Sequence, residues 1–222
     1  LRKAAEQGLA EAQNELGEMY RFGELWGVAE DVVEAVKWFQ KAAEQEHADG
    51  QKNLGQMYQT GDGVPEDAVE ALKWYDKATE QGNADAQYEL GVMYRFGEGV
   101  EQDAAEALKL FRKAAEQGNA NAQSNLGFMY REGRGVAQDD AEAAKWYGKA
   151  AEQGDAFAQN QLGVMYQLGR GVAQDDAEAV KWYGKAAEQG NAGGQSNLGR
   201  MYQNGRGVAQ DDAEAAKWYG KA

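Results

Sequence analysis

The chain lacks cysteine entirely, and its 222 residues include only one proline and one histidine. Without cysteine there is no disulfide frame, no thiol nucleophile and no thiolate metal site. The lone histidine, His47, falls at the N-cap position of a predicted helix. It cannot form a multi-histidine metal site, and no Ser-His-Asp set can be argued from it. We therefore predict a protein without catalytic residues, metal or cofactor.

Basic side chains are also few, because 37 acidic residues outnumber 23 basic ones and give a formal net charge of −14. Nucleic-acid affinity comes largely from Lys and Arg that displace counterions from the phosphate backbone, so we expect no nucleic-acid partner. Attraction to an anionic membrane surface is disfavoured for the same reason. No apolar run approaches the ~20 residues needed to cross a bilayer, and we expect no direct membrane insertion.

What the sequence does contain is one repeat in six copies. The pattern Leu-Gly-x-Met-Tyr begins at Leu16, Leu54, Leu90, Leu126, Leu162 and Leu198. The intervals are 38 residues once and 36 residues four times, a fixed period typical of repeat arrays. We predict a single repeat domain over 1–222, with a partial repeat at 1–8, repeats at 9–46, 47–82, 83–118, 119–154 and 155–190, and a truncated repeat at 191–222.

Each repeat predicts two helices. In the fourth, the first helix is predicted to begin after the N-cap residue Asn119 and to end at Gly133. The second is predicted to begin after Asp139, which has the spacing of a capping box to Glu142, and to end at Gly154. The two additional residues of the first repeat lie in the segment 23–28, which is therefore predicted to be a loop.

The stretch GRGVAQDDAEA occurs three times, and its glycines and paired aspartates resemble parts of a phosphate or metal site. No GxGxxG, P-loop or EF-hand spacing accompanies it. A catalytic or cofactor loop is normally needed once, whereas this stretch recurs wherever a second helix begins. We interpret the glycines as turn residues and the first aspartate as the N-cap. The second, Asp140 or Asp176, adds negative charge to the first helical turn.

Glycine also follows the leucine of the pattern in all six repeats, where a mid-helix glycine costs ~1 kcal/mol relative to alanine. Its recurrence predicts that the two helices of a repeat cross closely there. Gly148 and its counterparts in the last two repeats replace polar residues, which predicts a position facing solvent. Glu46 stands where later repeats end their second helix with glycine. We expect it to weaken the junction between the first and second repeats, because a non-glycine residue resists the left-handed conformation.

The repeat length and the motifs Leu-Gly-x-Met-Tyr, Gly-x-Gly-Val and Ala-Ala-Glu-Gln-Gly resemble the Sel-one-like repeat (SLR) family, a relative of the tetratricopeptide repeat. The resemblance covers the whole chain. It departs from the tetratricopeptide pattern at Gln123, where that pattern has tryptophan. The resemblance implies an all-α fold, a right-handed α-α superhelix or solenoid, with a concave groove lined mainly by first helices.

The resemblance further implies a non-catalytic adaptor, a role common in bacterial signalling, envelope assembly and host contact. It favours a bacterial periplasmic or secreted protein, and a cytoplasmic one is not excluded. Leu1 is a poor start for a natural protein, and neither end has a polar capping helix. We therefore expect both ends to be cuts through a longer array, with any targeting segment missing. One branch of the family is cysteine-rich, secreted and linked to β-lactam binding, and its properties are not carried over to a chain without cysteine.

Recognition is expected where the repeats differ, and one ridge of the first helices varies at three positions spaced four residues apart. The ridge is mostly polar in the outer repeats. In the third to fifth repeats it carries six residues that we call the apolar ridge: Tyr88, Val92, Phe96, Phe128, Val164 and Leu168. These residues either pack laterally between repeats or form an exposed strip that binds a partner. Because a packing position should be apolar in every repeat and here is not, we favour the partner strip. Arg95 and Arg131 flank it and are candidates to engage a carboxylate-bearing peptide.

The leading functional hypothesis is a protein–protein interaction scaffold that binds a peptide or protein segment in the concave groove. One alternative is an enzyme or binder that acts on a cell-wall glycan or β-lactam-like ligand. A buried carboxylate with a raised pKa in the groove would favour it. Another is a structural array that self-associates end to end. Trp26, in the longer first loop, either is an exposed anchor or folds back over the first repeat.

Overall fold

The computed structural model describes residues 1–23, 27 and 29–222, so the hypothesis about Trp26 lies outside the described residues. The chain divides into two compact units, Leu1–Ala114 and Ala115–Ala222. All regular structure in the described residues is α-helical. The helices are α1 (Arg2–Glu6), α2 (Ala10–Arg21), α3 (Val32–Glu44), α4 (Ala48–Thr60), α5 (Ala68–Glu80), α6 (Ala84–Phe96), α7 (Ala104–Glu116), α8 (Ala120–Glu132), α9 (Asp140–Glu152), α10 (Ala156–Leu168), α11 (Asp176–Glu188), α12 (Ala192–Asn204) and α13 (Asp212–Tyr219).

Each repeat forms a helical hairpin, as the sequence predicts. We call the first helix of each pair the A helix and the second the B helix. In the N-terminal unit, α2 packs on α3 and α4 on α5, and each hairpin packs on the next through its B helix. In the C-terminal unit, α8 packs on α9, α10 on α11 and α12 on α13. The boundary between the two units falls inside α7.

The predicted helix ends of the fourth repeat are confirmed. The Asn119 side chain accepts a hydrogen bond from the backbone N–H of Ala122, and α8 ends at Gly133, where φ is +65°. The Asp139 carboxylate accepts from the N–H groups of Ala141 and Glu142 at 2.9 and 3.0 Å. Glu142 does not complete a capping box. Its carboxylate accepts a hydrogen bond from the Lys145 ammonium at 2.9 Å instead. The aspartate alone therefore caps the helix.

Close crossing of the two helices is also confirmed. A Cβ on Gly127 would lie 2.8 Å from the ring of Tyr147, and the same relationship recurs in every repeat. The aromatic ring of the B helix is fully buried in five of these crossings, at Phe39, Tyr75, Phe111, Tyr147 and Tyr183. Burying a large apolar side chain stabilises the fold by about 1.5–3 kcal/mol, which exceeds the propensity cost of the glycine.

The second glycine of Gly-x-Gly-Val makes a contact that the sequence analysis did not anticipate. A Cβ on Gly171 would overlap the backbone carbonyl of Asp140, at the start of the B helix in the preceding repeat. The loop of one repeat therefore packs against the N-terminal end of the previous B helix. Val172 and Val208, which follow these glycines, pack against core clusters of the C-terminal unit. The recurrent stretch is thus a turn, a cap and a contact between repeats.

A buried glutamine in each A helix links successive repeats. The Gln159 side chain is 3% exposed, and its Nε2 donates to the carbonyl of Ala151, in the last turn of α9. Its Oε1 accepts from Gln189 of the next B helix at 2.8 Å. The equivalent Gln123 donates to Ala115 and accepts from Gln153. The amide thus satisfies an orphan carbonyl at the end of the preceding repeat's B helix and also bonds to the residue that ends the B helix of its own repeat, at a position where the tetratricopeptide pattern has tryptophan.

Candidate interaction surface

In the N-terminal unit, the apolar ridge is formed by Tyr88, Val92 and Phe96 of α6. Tyr88 is half-buried, with its ring centroid 5.9 Å from that of Phe111. Val92 is also half-buried, one helical turn further on. Phe96 is 59% exposed at the end of the helix, and the Arg95 guanidinium lies 4.9 Å from its ring centroid. The available apolar surface is therefore concentrated at the C-terminal end of α6.

The C-terminal unit carries the rest of the ridge. Phe128 of α8 and Val164 of α10 are half-buried and pack against core clusters. Leu168, at the end of α10, is 54% exposed. The Arg131 guanidinium lies 5.7 Å from the Phe128 ring centroid, donates from Nε to Glu132 at 2.8 Å, and also donates to Gln161. Arg131 is therefore held in place by its neighbours.

The exposure of the ridge positions increases from the first to the third position along a helix. In α10, Asn160 is buried, Val164 half-buried and Leu168 exposed, and α2 shows the same gradient from Asn14 through Glu18 to Phe22. The cause is the neighbouring A helix, which covers the N-terminal part of the ridge and leaves its end open. From α2 to α10 only the last ridge position of each A helix is exposed, whereas in α12 Ser196 and Arg200 are exposed as well.

Polar residues at the half-buried middle position also make contacts between A helices. The Glu18 carboxylate accepts from Asn53 at 3.3 Å, and the Gln56 side chain accepts from Arg21 at 2.7 Å. The sequence-based prediction of a partner strip requires that a packing position be apolar in every repeat. These hydrogen bonds show that the middle position packs with either kind of side chain, so its polarity alone does not distinguish the two interpretations.

A cavity of about 380 Å³ adjoins the ridge in the C-terminal unit. Its apolar wall is formed by Val164 and Met165 of α10. Its polar lining includes two guanidinium groups, from Arg131 of α8 and from Arg170 in the loop after α10, together with Asp140 at the start of α9. Arg131 and Val164 were predictable from the sequence as ridge residues, whereas Arg170 lies in the predicted turn and has no predicted role.

Glu89, a carboxylate of α6 in the N-terminal unit, has a raised pKa. Burial raises the pKa of Glu89 above its ordinary value, and the negative charges of Asp85 and Glu98 raise it further, while Lys52 of α4 lowers it.

Among the described residues, no group of three or more His, Asp or Glu is arranged to hold a metal. His47 is an N-cap, as predicted, with Nδ1 accepting from the N–H of Gly50 at 3.1 Å. No helix in the described part of the chain is long and apolar enough to cross a membrane.

Consecutive helical hairpins with recurring contacts define an α-helical repeat protein of the solenoid class. A profile of the Sel1 repeat matches residues 10–47, 48–83, 84–119, 120–155, 156–191 and 192–222. The chain belongs to the Sel1 repeat family, whose members are in general protein–protein interaction scaffolds and typically not enzymes. No curated protein sequence matches the chain.

Solved structures agree with this assignment. The structure of c5321, a protective antigen of uropathogenic Escherichia coli that displays an SLR fold, is 44% identical over 99% of this chain, with a TM-score of 0.92. This chain spans 47% of that protein, so about half of its length. A Sel1 repeat protein from Oxalobacter formigenes is 35% identical, with a TM-score of 0.85, over 97% of this chain and 85% of its own. The immunity protein Pa5087 from Pseudomonas aeruginosa is 25% identical over 96% of this chain and 80% of its own, with a TM-score of 0.57.

Proposed function

We propose that the chain is a non-catalytic scaffold that binds a peptide or protein segment of a partner through the apolar ridge. The observation that carries this proposal is the exposure of Phe96 and Leu168 at the ends of α6 and α10. Single exposed apolar residues are ordinary on protein surfaces. These two are continuous with half-buried apolar residues of their own helices, Val92 and Val164, which extend each of them into a strip.

The arginines beside the ridge suit a binding surface. The Arg95 guanidinium lies over the Phe96 ring, and the Arg131 guanidinium lies over the Phe128 ring. Arginine and aromatic residues are enriched among the residues that carry most of the energy at protein interfaces. A partner side chain that covers Phe96, which is 59% exposed, would add about 1–2 kcal/mol by removing that surface from water. Each compact unit offers its own part of the ridge.

The test uses charge substitutions at the exposed ends, where folding is least affected. The variant Phe96→Glu/Leu168→Glu and the unsubstituted chain are immobilised and exposed to a lysate of the source bacterium. The matched control is Val33→Glu/Val69→Glu, which changes two apolar residues on B helices that are 51% and 52% exposed. Circular dichroism and melting must agree among all three proteins.

We expect at least one protein to be captured by the unsubstituted chain and by the control, and lost with the ridge variant. A partner captured equally by all three proteins would contradict the assignment of the ridge as the binding surface.

A further inference from the structure

Two equivalent arginines of the C-terminal unit differ in their partners. Arg206 donates to both carboxylate oxygens of Asp176, from Nε at 3.1 Å and from Nη2 at 2.9 Å. Arg170 and Asp140 hold the same positions one repeat earlier, within the same sequence motif. There, Oδ1 of Asp140 is buried and accepts no hydrogen bond. Within the described residues the Arg170 guanidinium has no ion-pair partner, so its donors are open to the cavity that it lines.

The wall opposite the arginine also differs between the two repeats. Arg200 occupies the middle ridge position of α12 and donates to Gln167 of α10 at 3.3 Å. At the same position of α10 stands Val164, which lines the cavity together with Met165. The cavity of about 380 Å³ therefore combines an apolar wall with an open guanidinium. Its size lies within the roughly 300–1,000 Å³ of ordinary ligand sites.

The exposure of the charged lining residues determines whether the cavity favours an anionic or a cationic ligand. Oδ1 of Asp140 is out of reach of a ligand because it is buried, whereas Arg170 is exposed. Arg131 and Glu132 already neutralise each other at 2.8 Å. Asp140 also lines the cavity but is half-buried, so the exposed charge that a ligand meets is the guanidinium of Arg170. A guanidinium presents a planar fork of donors that matches the two oxygens of a carboxylate.

We propose that this cavity is a subsite for a carboxylate on a short apolar stem, with Arg170 as its bidentate donor and with Val164 and Met165 in contact with the stem. The inference rests on the proposed function, because Arg131 and Val164 belong to both surfaces. The carboxylate is supplied by a partner segment, either from its C-terminus or from an acidic side chain. Asp140 competes with the ligand for Arg170, as the Arg206–Asp176 pair shows.

Three small probes test the subsite on the full chain. N-acetyl-leucine carries a terminal carboxylate, N-acetyl-glutamate α-amide carries only a side-chain carboxylate, and N-acetyl-leucinamide is neutral. Each is titrated against ¹⁵N-labelled protein while the arginine Nε–H resonances are followed by NMR. We expect a saturable shift of the Arg170 resonance with one or both carboxylates, and the stronger probe identifies the source. A shift of the same size with the neutral amide, or no saturable shift with either acid, overturns the proposal.

Variants localise the effect. Arg170→Ala is expected to weaken binding of the carboxylate probe at least about 10-fold, the loss typical of a charge-assisted hydrogen bond. Arg206→Ala is the matched control, because that arginine is already paired with Asp176, and its binding should be unchanged. Asp140→Asn should strengthen binding by removing the competitor. Equal losses with Arg170→Ala and Arg206→Ala would overturn the assignment.

The two proposals fail separately. If neither carboxylate probe binds while the ridge variant loses the partner, only the subsite is contradicted. If a carboxylate probe binds while the ridge variant captures the partner as well as the unsubstituted chain does, only the ridge is contradicted.

Discussion

A Cβ placed on Gly163 would lie 2.7 Å from the ring of Tyr183, which is fully buried. The A and B helices of the fifth repeat therefore approach each other at a distance that only glycine allows. Replacing Gly163 with alanine forces the ring or the backbone to move. We expect Gly163→Ala to lower the free energy of unfolding by about 1–3 kcal/mol, the usual cost of overpacking a core.

The matched control for that substitution is Gly148→Ala. Gly148 is also a mid-helix glycine, but a Cβ there would meet no atom within 4 Å, in agreement with its predicted position facing solvent. Alanine should therefore raise stability by about 0.5–1 kcal/mol through helix propensity alone. Urea unfolding of the two variants measures the difference. Stabilisation by both substitutions would show that the Tyr183 ring yields at no cost.

The buried amide of Gln159 gives a second prediction. Gln159→Ala removes the amide that donates to the Ala151 carbonyl and accepts a hydrogen bond from Gln189. We expect a loss of about 1–3 kcal/mol, because a buried polar group without a partner bears its desolvation cost. A double-mutant cycle with Gln189→Ala isolates the hydrogen bond within the repeat from the contact with Ala151 of the preceding repeat. A coupling energy near zero would contradict a contribution of this hydrogen bond.

Glu46 is a non-glycine residue with φ of +59°, whereas Gly82, Gly118, Gly154 and Gly190 hold the equivalent position with φ of 83° to 97°. The left-handed conformation costs an ordinary residue about 1–2 kcal/mol. Glycine avoids this cost, but its greater conformational freedom in the unfolded chain offsets part of the gain. Glu46→Gly should therefore stabilise the chain by about 0.5–1 kcal/mol. Thermal melting measures the gain. The reciprocal control, Gly154→Ala, should destabilise by a similar amount, and a neutral result for both would contradict strain at this junction.

The raised pKa of Glu89 predicts a dependence of stability on pH. The folded chain holds this proton more tightly than the unfolded chain, where the carboxyl has its ordinary pKa of about 4.5. Its stabilising contribution is present below that pH and is lost as pH rises through the folded-state pKa. Glu89→Gln should thus match the unsubstituted chain near pH 4 and become the more stable of the two towards neutral pH. Chemical unfolding at several pH values tests this, with Glu15→Gln, at the exposed equivalent position, as the control. An advantage that does not grow with pH would contradict it.

The helix boundaries were predictable because they depend on local chemistry that recurs with the period. Asn119, Asp139 and Gly133 act within their own turns, and the mid-helix glycine implies a close neighbour wherever it occurs. The role of Gln159 was not predictable in this way. Its two partners lie 8 and 30 residues away, and nothing in the composition of the helix indicates that an amide is buried there.

The candidate site was only partly predictable for a similar reason. The apolar character of the ridge was evident, but the exposure of each position depends on how far the neighbouring A helix covers it. Arg170 and Arg206 lie in the same motif, yet one is paired and the other is open. A repeated sequence specifies the possible partners of a side chain, and the surrounding packing determines which contact is made.

The glutamine contacts have a consequence for how such a chain changes length. If residues 156–191 were deleted, Gln195 would stand eight positions after Ala151 in place of Gln159, and it already donates to the equivalent carbonyl of Ala187. Arg206 would likewise meet Asp140 in place of Asp176. An in-frame loss or gain of 36 residues thus preserves the glutamine contact at the new junction. Recombination between nearly identical gene segments can therefore alter the reach of the scaffold without a new folding solution.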